Sequence, residues 1–148
     1  MDRQRLMPPW AYAWRSDAYS TLSHGWRVGP FVWIGGQVAL DNQAQVVHPG
    51  DMAGQTRYVY TAIERLLREA GATFADVVKI NTFLALDPAA PEFDTKWEAM
   101  SAVRKEFLSD PGPCTLGVPV PGLRYPGLLV EVDAMAVIRG ESFGPASR

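Results

Sequence analysis

The sequence is poor in the residues that most often carry covalent or metal chemistry. It has one cysteine, Cys114, so no internal disulfide can form. That suits a reducing compartment, and the cytoplasm is the expected location. The two histidines, His24 and His48, stand at no metal-ligand spacing with Cys114, so neither a metal nor any other cofactor is expected. No GxGxxG, Walker, GxSxG or HExxH string occurs, and the mechanisms that depend on them lose their sequence support. No apolar run approaches the ~20 residues of a membrane-spanning helix. The start, Met1-Asp2-Arg3-Gln4-Arg5, lacks the apolar stretch of a secretory signal. Basic charge is scarce too. The formal net charge is -2, and the longest basic cluster is the pair Arg3 and Arg5. A nucleic-acid partner, which calls for a basic stripe, is therefore not expected.

What is present is material for a core. Hydrophobic residues make up 47% and charged residues 20% of 148, the usage of one ordinary globular domain. Residues 1–16 read as an appendage, because Pro8-Pro9 interrupts regular structure. Its Trp10, Tyr12 and Trp14 suit an arm packed on its own domain, on a neighbouring subunit or over a pocket. Residues 17–139 form the domain proper, and 140–148 a polar tail.

Within the domain, Phe31-Val32-Trp33-Ile34 reads as a buried strand. Gln37-Val38-Ala39-Leu40 continues it past a bulge at Gly35-Gly36. Asp41-Asn42-Gln43 supplies a turn, after which Gln45-Val46-Val47 can pair back. Asp51 is an N-cap. Met52, Val59, Ala62, Ile63, Leu66, Leu67 and Ala70 follow at helical spacing, and Gly71 is the stop. Residues 77–84 are β-branched and aromatic, hence a strand. A second helix carries Phe93, Trp97, Met100, Val103 and Phe107 on one stripe. Residues 114–118 form a short strand, 119–126 a proline- and glycine-rich loop, and 128–138 the last strand. In that strand Val130, Val132, Ala134 and Ala136 face one way, and Glu131, Asp133, Met135 and Val137 the other. The fold class is an α/β (α+β) two-layer sandwich, a mixed sheet with two helices on one face, in the order β-β-β-α-β-α-β-β. The second sheet face is apolar in places and the chain has no third layer to cover it, so an oligomer is expected.

Several strings between Leu22 and Ile138 resemble the Rid family, the YjgF-like reactive-intermediate deaminases. Val28-Gly29, Val32 and Gly36-Gln37 are similar to its opening hairpin. Gln55-Thr56 matches a Gln-Thr in its first helix, and Asp76-Val77-Val78-Lys79 with Phe83-Leu84 its Asp-Val-Val-Lys strand. Glu131 falls in a Val-Glu-Val-Asp-Ala string like the family's final Glu-Ile-Glu-Ala strand. The resemblance implies a homotrimer with a chorismate-mutase-like fold, small-molecule clefts between subunits, and hydrolysis of enamines or imines to ammonia and a keto acid. It also implies an arginine after Pro-Ala in the fifth strand, whose planar fork clamps the substrate carboxylate. Here the string is Pro113-Cys114-Thr115, and a threonine stands at the arginine's place. The family's early tyrosine is displaced as well, with Leu22 at its position and Tyr19 three residues before.

The candidate residues follow. Glu131 can aim and activate water as general base, or be a solvated residue of an alternating strand beside Asp133. Thr115 can orient a substrate carbonyl, or simply line its strand. Cys114 lies beside it, with no adjacent histidine to make it a nucleophile. Gly35, Gly36 and Gln37 can bring backbone and an amide to a ligand, or form an ordinary bulge. Arg124 can return a guanidinium to the cleft from the loop, or be solvated there. Lys79 and Asn81 alternate outward from the central strand. His24 reads as a polar surface residue. Three functions stay open: a Rid-like hydrolase of a small imine, enamine or related labile intermediate, with Thr for Arg in its site; a non-catalytic ligand-binding or regulatory protein of the same fold; and an RNA-cleaving protein, against which the charge argues.

Overall fold

A computed structural model describes residues 2–11 and 21–140. Tyr12, Trp14, Tyr19 and the tail beyond Gly140 lie outside the described residues. The elements run β1 (Arg3–Leu6), β2 (Gly25–Val28), β3 (Phe31–Val38), α1 (Met52–Glu69), a 3-10 turn (Phe74–Asp76), β4 (Val77–Ala85), α2 (Phe93–Phe107), β5 (Cys114–Val120) and β6 (Val130–Val137). The six strands form one sheet in the order β1-β2-β3-β6-β4-β5. All pairs are antiparallel except β4 and β5, which α2 connects, as a parallel pair requires. The mixed two-layer sandwich expected from the sequence is present.

Alternation sorts the sheet into two faces. Val32, Ile34, Ile80, Leu84, Val130 and Val132 point to the helices and are at most 2% exposed. Val59, Ile63, Leu66 and Leu67 of α1 join them in the core, as does Met100 of α2, and Val103 of α2 is buried too. Each such side chain contributes about 1.5–3 kcal/mol by leaving water. Asp51 caps α1, accepting from the Gly54 amide at 2.9 Å. Gly71 ends it at φ +77°, a conformation that glycine adopts without strain.

Three local expectations are corrected. Residues 45–47 do not form a strand; a single bridge joins Leu40 and Val46. Instead the Asp41 carboxylate accepts from the Gln43 and Gln45 amides and holds the chain in a turn. The last strand begins at Val130, two residues later than its apolar run. His24 is buried, not on the surface. The arm also contributes more than a cover. Arg3–Leu6 pairs with β2 as the edge strand, Leu6 is 1% exposed, and the Trp10 indole donates to Glu69 at 2.7 Å under the Arg65 guanidinium. Among the described residues no helix is long and apolar enough to cross a membrane.

Gln55 ties α1 to the loop before β6. Fully buried, it donates to Gly127 O at 2.8 Å and His48 O at 3.3 Å, and accepts from Leu129 N at 2.8 Å. Gln55→Ala removes the side-chain partner of Gly127 O and Leu129 N, while His48 O keeps the Asp51 amide, and is expected to cost about 2–4 kcal/mol. A urea unfolding midpoint equal to that of the unchanged chain contradicts this.

Candidate active site

The sheet face away from the helices carries the chemistry. Its rows follow from the registers of β3, β6, β4 and β5. One row holds Trp33, Met135, Lys79 and Cys114, and the row of Val38, Glu131, Phe83 and Val118 lies further along. Between them come Asp133, Asn81 and Leu116. The face is apolar and open: Trp33, Met135 and Leu116 are 39%, 37% and 46% exposed.

Glu131, Asp133 and Asn81 form a polar island on it. Asn81 Nδ2 donates to Asp133 Oδ1 at 2.9 Å, while the buried Asn81 Oδ1 has no partner. Glu131 makes no hydrogen bond or ion pair among the described residues. Burial, and then the charge of Asp133, raise its pKa above the ordinary carboxylate value. A carboxylate so shifted is a stronger base and is poised closer to neutral pH.

The bulge explains how this carboxylate sits. The β3–β6 register slips between Ile34 and Gln37, so Gly35 and Gly36 leave the regular ladder. Glu131 lies over Gly36: a Cβ built there would overlap Oε1 and stand 3.0 Å from Cδ. Gly36 is thus glycine to make room for a carboxylate. Gln37 is buried on the helix side of the sheet, and its amide donates to Gly35 O at 2.9 Å and Gly36 O at 3.3 Å. It braces the bulge from behind and does not share Glu131's face. It also lines a separate cavity of about 260 Å³ with Trp10, Tyr58 and Arg65.

Thr115 is on the helix side too. It pairs with Ile80, a core residue, and lines a cavity of about 200 Å³ with Ile80, Arg104, Leu108, Gly112 and Pro113. Two residues on, Gly117 faces the Trp97 ring of α2. Thr115 and Glu131 therefore occupy opposite faces of one sheet, three rows apart, or roughly 10 Å along the strands. Cys114 shares the open face but sits four residues from Val118 of the Glu131 row; its thiol donates to Val78 O at 3.1 Å. Arg124 stacks on Tyr125 at 4.9 Å in the loop before β6. His24 meets the bulge through its backbone, accepting from the Gly35 amide at 2.8 Å.

Sequence reasoning missed two features. The Asn81–Asp133 pair depends on β6 lying beside β4, which no local string announces. Arg104 falls one turn after Met100 on the face of α2 that packs inward, and that spacing was a usable signal.

Residues 14–138 match the family model described as Endoribonuclease L-PSP. The chain belongs to this family. Its relatives carry the Rid and YjgF names. The 3-aminoacrylate deaminase RutC of Acinetobacter baylyi is 34% identical over 105 residues, covering 71% of this chain and 77% of that protein. A RutC family protein of Pyrococcus abyssi is 30% identical over 110 residues, covering 74% and 80%. Among solved structures, RidA from an Antarctic Psychrobacter superposes with TM-score 0.74 at 26% identity, covering 91% of this chain and 99% of that one. A YjgF/YER057c/UK114 family member from Mycobacterium tuberculosis gives 0.72 at 28%, covering 93% and 100%. The Rid resemblance and the expected fold are both borne out. Relatives with deaminase names support an imine- or enamine-deaminase-like activity at the level of the family.

Proposed function

We propose that this chain hydrolyses small imines, or enamines through their imine tautomers, at sites shared between copies in a homotrimer. The carrying observation is Glu131, a half-buried carboxylate of raised pKa, seated over Gly36 without an internal partner, on a sheet face that no described residue covers.

Glu131 takes a proton from water as the water oxygen bonds to the imine carbon and the nitrogen takes up a proton. The carbinolamine then collapses: its hydroxyl proton leaves, the C=O bond forms, the C–N bond breaks, and ammonia departs with a proton. Imine and water give carbonyl and ammonia, a balance that asks for no cofactor. Asn81, tied to Asp133, flanks the carboxylate on the same face. Gly36, having no Cβ, leaves the room in which that carboxylate sits.

The second half of the site is the Thr115 cavity. Thr115 and Glu131 lie on opposite faces of one sheet, so one ligand reaches both only when a second copy brings its β5 edge to this chain's open face. The exposed Trp33, Met135 and Leu116 are the kind of apolar patch that such a copy would cover. Closed rings are the usual way to satisfy a repeated contact between unlike surfaces, and the ring proposed here has three members.

The test is ammonia release. Imines generated in situ from small amino acids should lose ammonia faster with the purified chain than without it. The threonine at 115 favours one second reading, a binding protein without turnover. It would appear as thermal stabilisation by ligand with no gain in ammonia release.

A further inference from the structure

The cavity behind β5 is lined by a charge that no carboxylate among the described residues answers. Arg104 of α2 is half-buried and lines this cavity with Ile80, Leu108, Gly112, Pro113 and Thr115. Its nearest neighbours along the helix face are Met100, Ser101, Phe107 and Leu108, none of them acidic. No carboxylate among the described residues pairs with it. Its charge reaches Tyr60, whose phenol is itself uncharged near neutral pH and offers no counter-ion. The other arginine facing α2, Arg57 of α1, is held by Glu106.

Arg104 is partly exposed, and the apolar walls beside it limit how fully water can surround it. The same walls strengthen its attraction for an anion that enters. The cavity is large enough for a carboxylate on a short chain, and the Thr115 hydroxyl beside it can donate one more hydrogen bond. We infer that Arg104 is the substrate-binding residue for the carboxylate of a small 2-imino or amino-acrylate substrate, supplying from α2 the guanidinium that β5 lacks at Thr115. This names a substrate class, and it rests on the hydrolase reading above.

The experiment compares two imines that differ only at one end, a small 2-imino acid and its carboxamide, on the unchanged chain and its variants. Arg104→Gln should raise KM for the imino acid by ~10–100-fold, the worth of a charged hydrogen bond, and leave the carboxamide's KM alone. Arg104→Lys should keep part of the preference, and adding Thr115→Arg to Arg104→Gln should restore it. Calorimetric binding of pyruvate, a short 2-oxo acid, gives a readout independent of turnover. If the unchanged chain binds pyruvate and Arg104→Gln does not, yet neither releases ammonia, the Arg104 site stands and the hydrolase reading falls. If Arg104→Gln matches the unchanged chain on both substrates, or weakens both equally, the Arg104 assignment is overturned while turnover is retained. A chain that neither binds pyruvate nor turns over either imine overturns it too.

Discussion

Glu131→Gln should lower imine hydrolysis by ~10²–10⁴-fold, the range that a positioned general base contributes, while making the folded chain more stable at neutral pH. The two effects have one cause. Burial, with Asp133 adding to it, raises the Glu131 pKa in the folded chain. The folded state therefore holds this proton more tightly than the unfolded state. Its contribution is fully present below the unfolded carboxylate pKa and is lost as pH rises through the raised, folded one. Glutamine has nearly the same shape and no charge to desolvate, so it escapes that loss. Thermal melts of the two chains should coincide in acid and separate above the carboxylate range, with Glu131→Gln melting higher. The same titration should shape the rate: ammonia release rises with pH as the base form appears, a limb that Glu131→Gln lacks. A variant that is fully active, or melts lower at neutral pH, contradicts the role assigned to Glu131.

Gly36→Ala should disable the site without unfolding it. The new Cβ would overlap Glu131 Oε1 and crowd Cδ and Cγ. These atoms belong to the end of a flexible side chain, and the carboxylate swings aside more cheaply than β3 moves. Displacing a reacting group by about 1 Å can cost ~10²-fold in rate. The expected result is a loss of turnover of that order, with an unfolding midpoint close to that of the unchanged chain. A substantial drop in stability would mean that the backbone yields instead. Full activity would mean that the position of Glu131 over the bulge is immaterial.

How much of this was legible in the sequence depended on range. Features set by neighbours in the chain could be read directly. Asp51 caps α1 and Gly71 stops it as their types require, Gly35-Gly36 forms the bulge, and the alternation of β6 puts Glu131 opposite the core. Features set by distant pairing could not. Arg3–Leu6 becomes an edge strand because β2 offers it a ladder, not because its own residues alternate strongly. Gln37 looked like a ligand contact beside Gly36, but the register slip sends it to the other face. Thr115 and Glu131 looked like members of one site. The β4–β5 register separates them within a chain, and that separation makes the second copy necessary to the account. The family strings carried fold and reaction class well, since they span most of the chain. They set Thr115 where the resemblance implies an arginine, but could not say that Arg104 of α2 lines the same cavity.

The shared site is tested most directly by mixing two inactive chains. Glu131→Gln lacks the base. Thr115→Phe fills the cavity on the other side of the sheet. Each homo-oligomer should be nearly silent in ammonia release. Dissociated, mixed in equal amounts and reassembled, they should recover about a quarter of the unchanged activity, because random closure of a head-to-tail ring places an intact Glu131 face against an intact Thr115 cavity at one contact in four. Activity that stays at the sum of the two parents, in reassembled oligomers shown to contain both chains, would contradict a site built between copies.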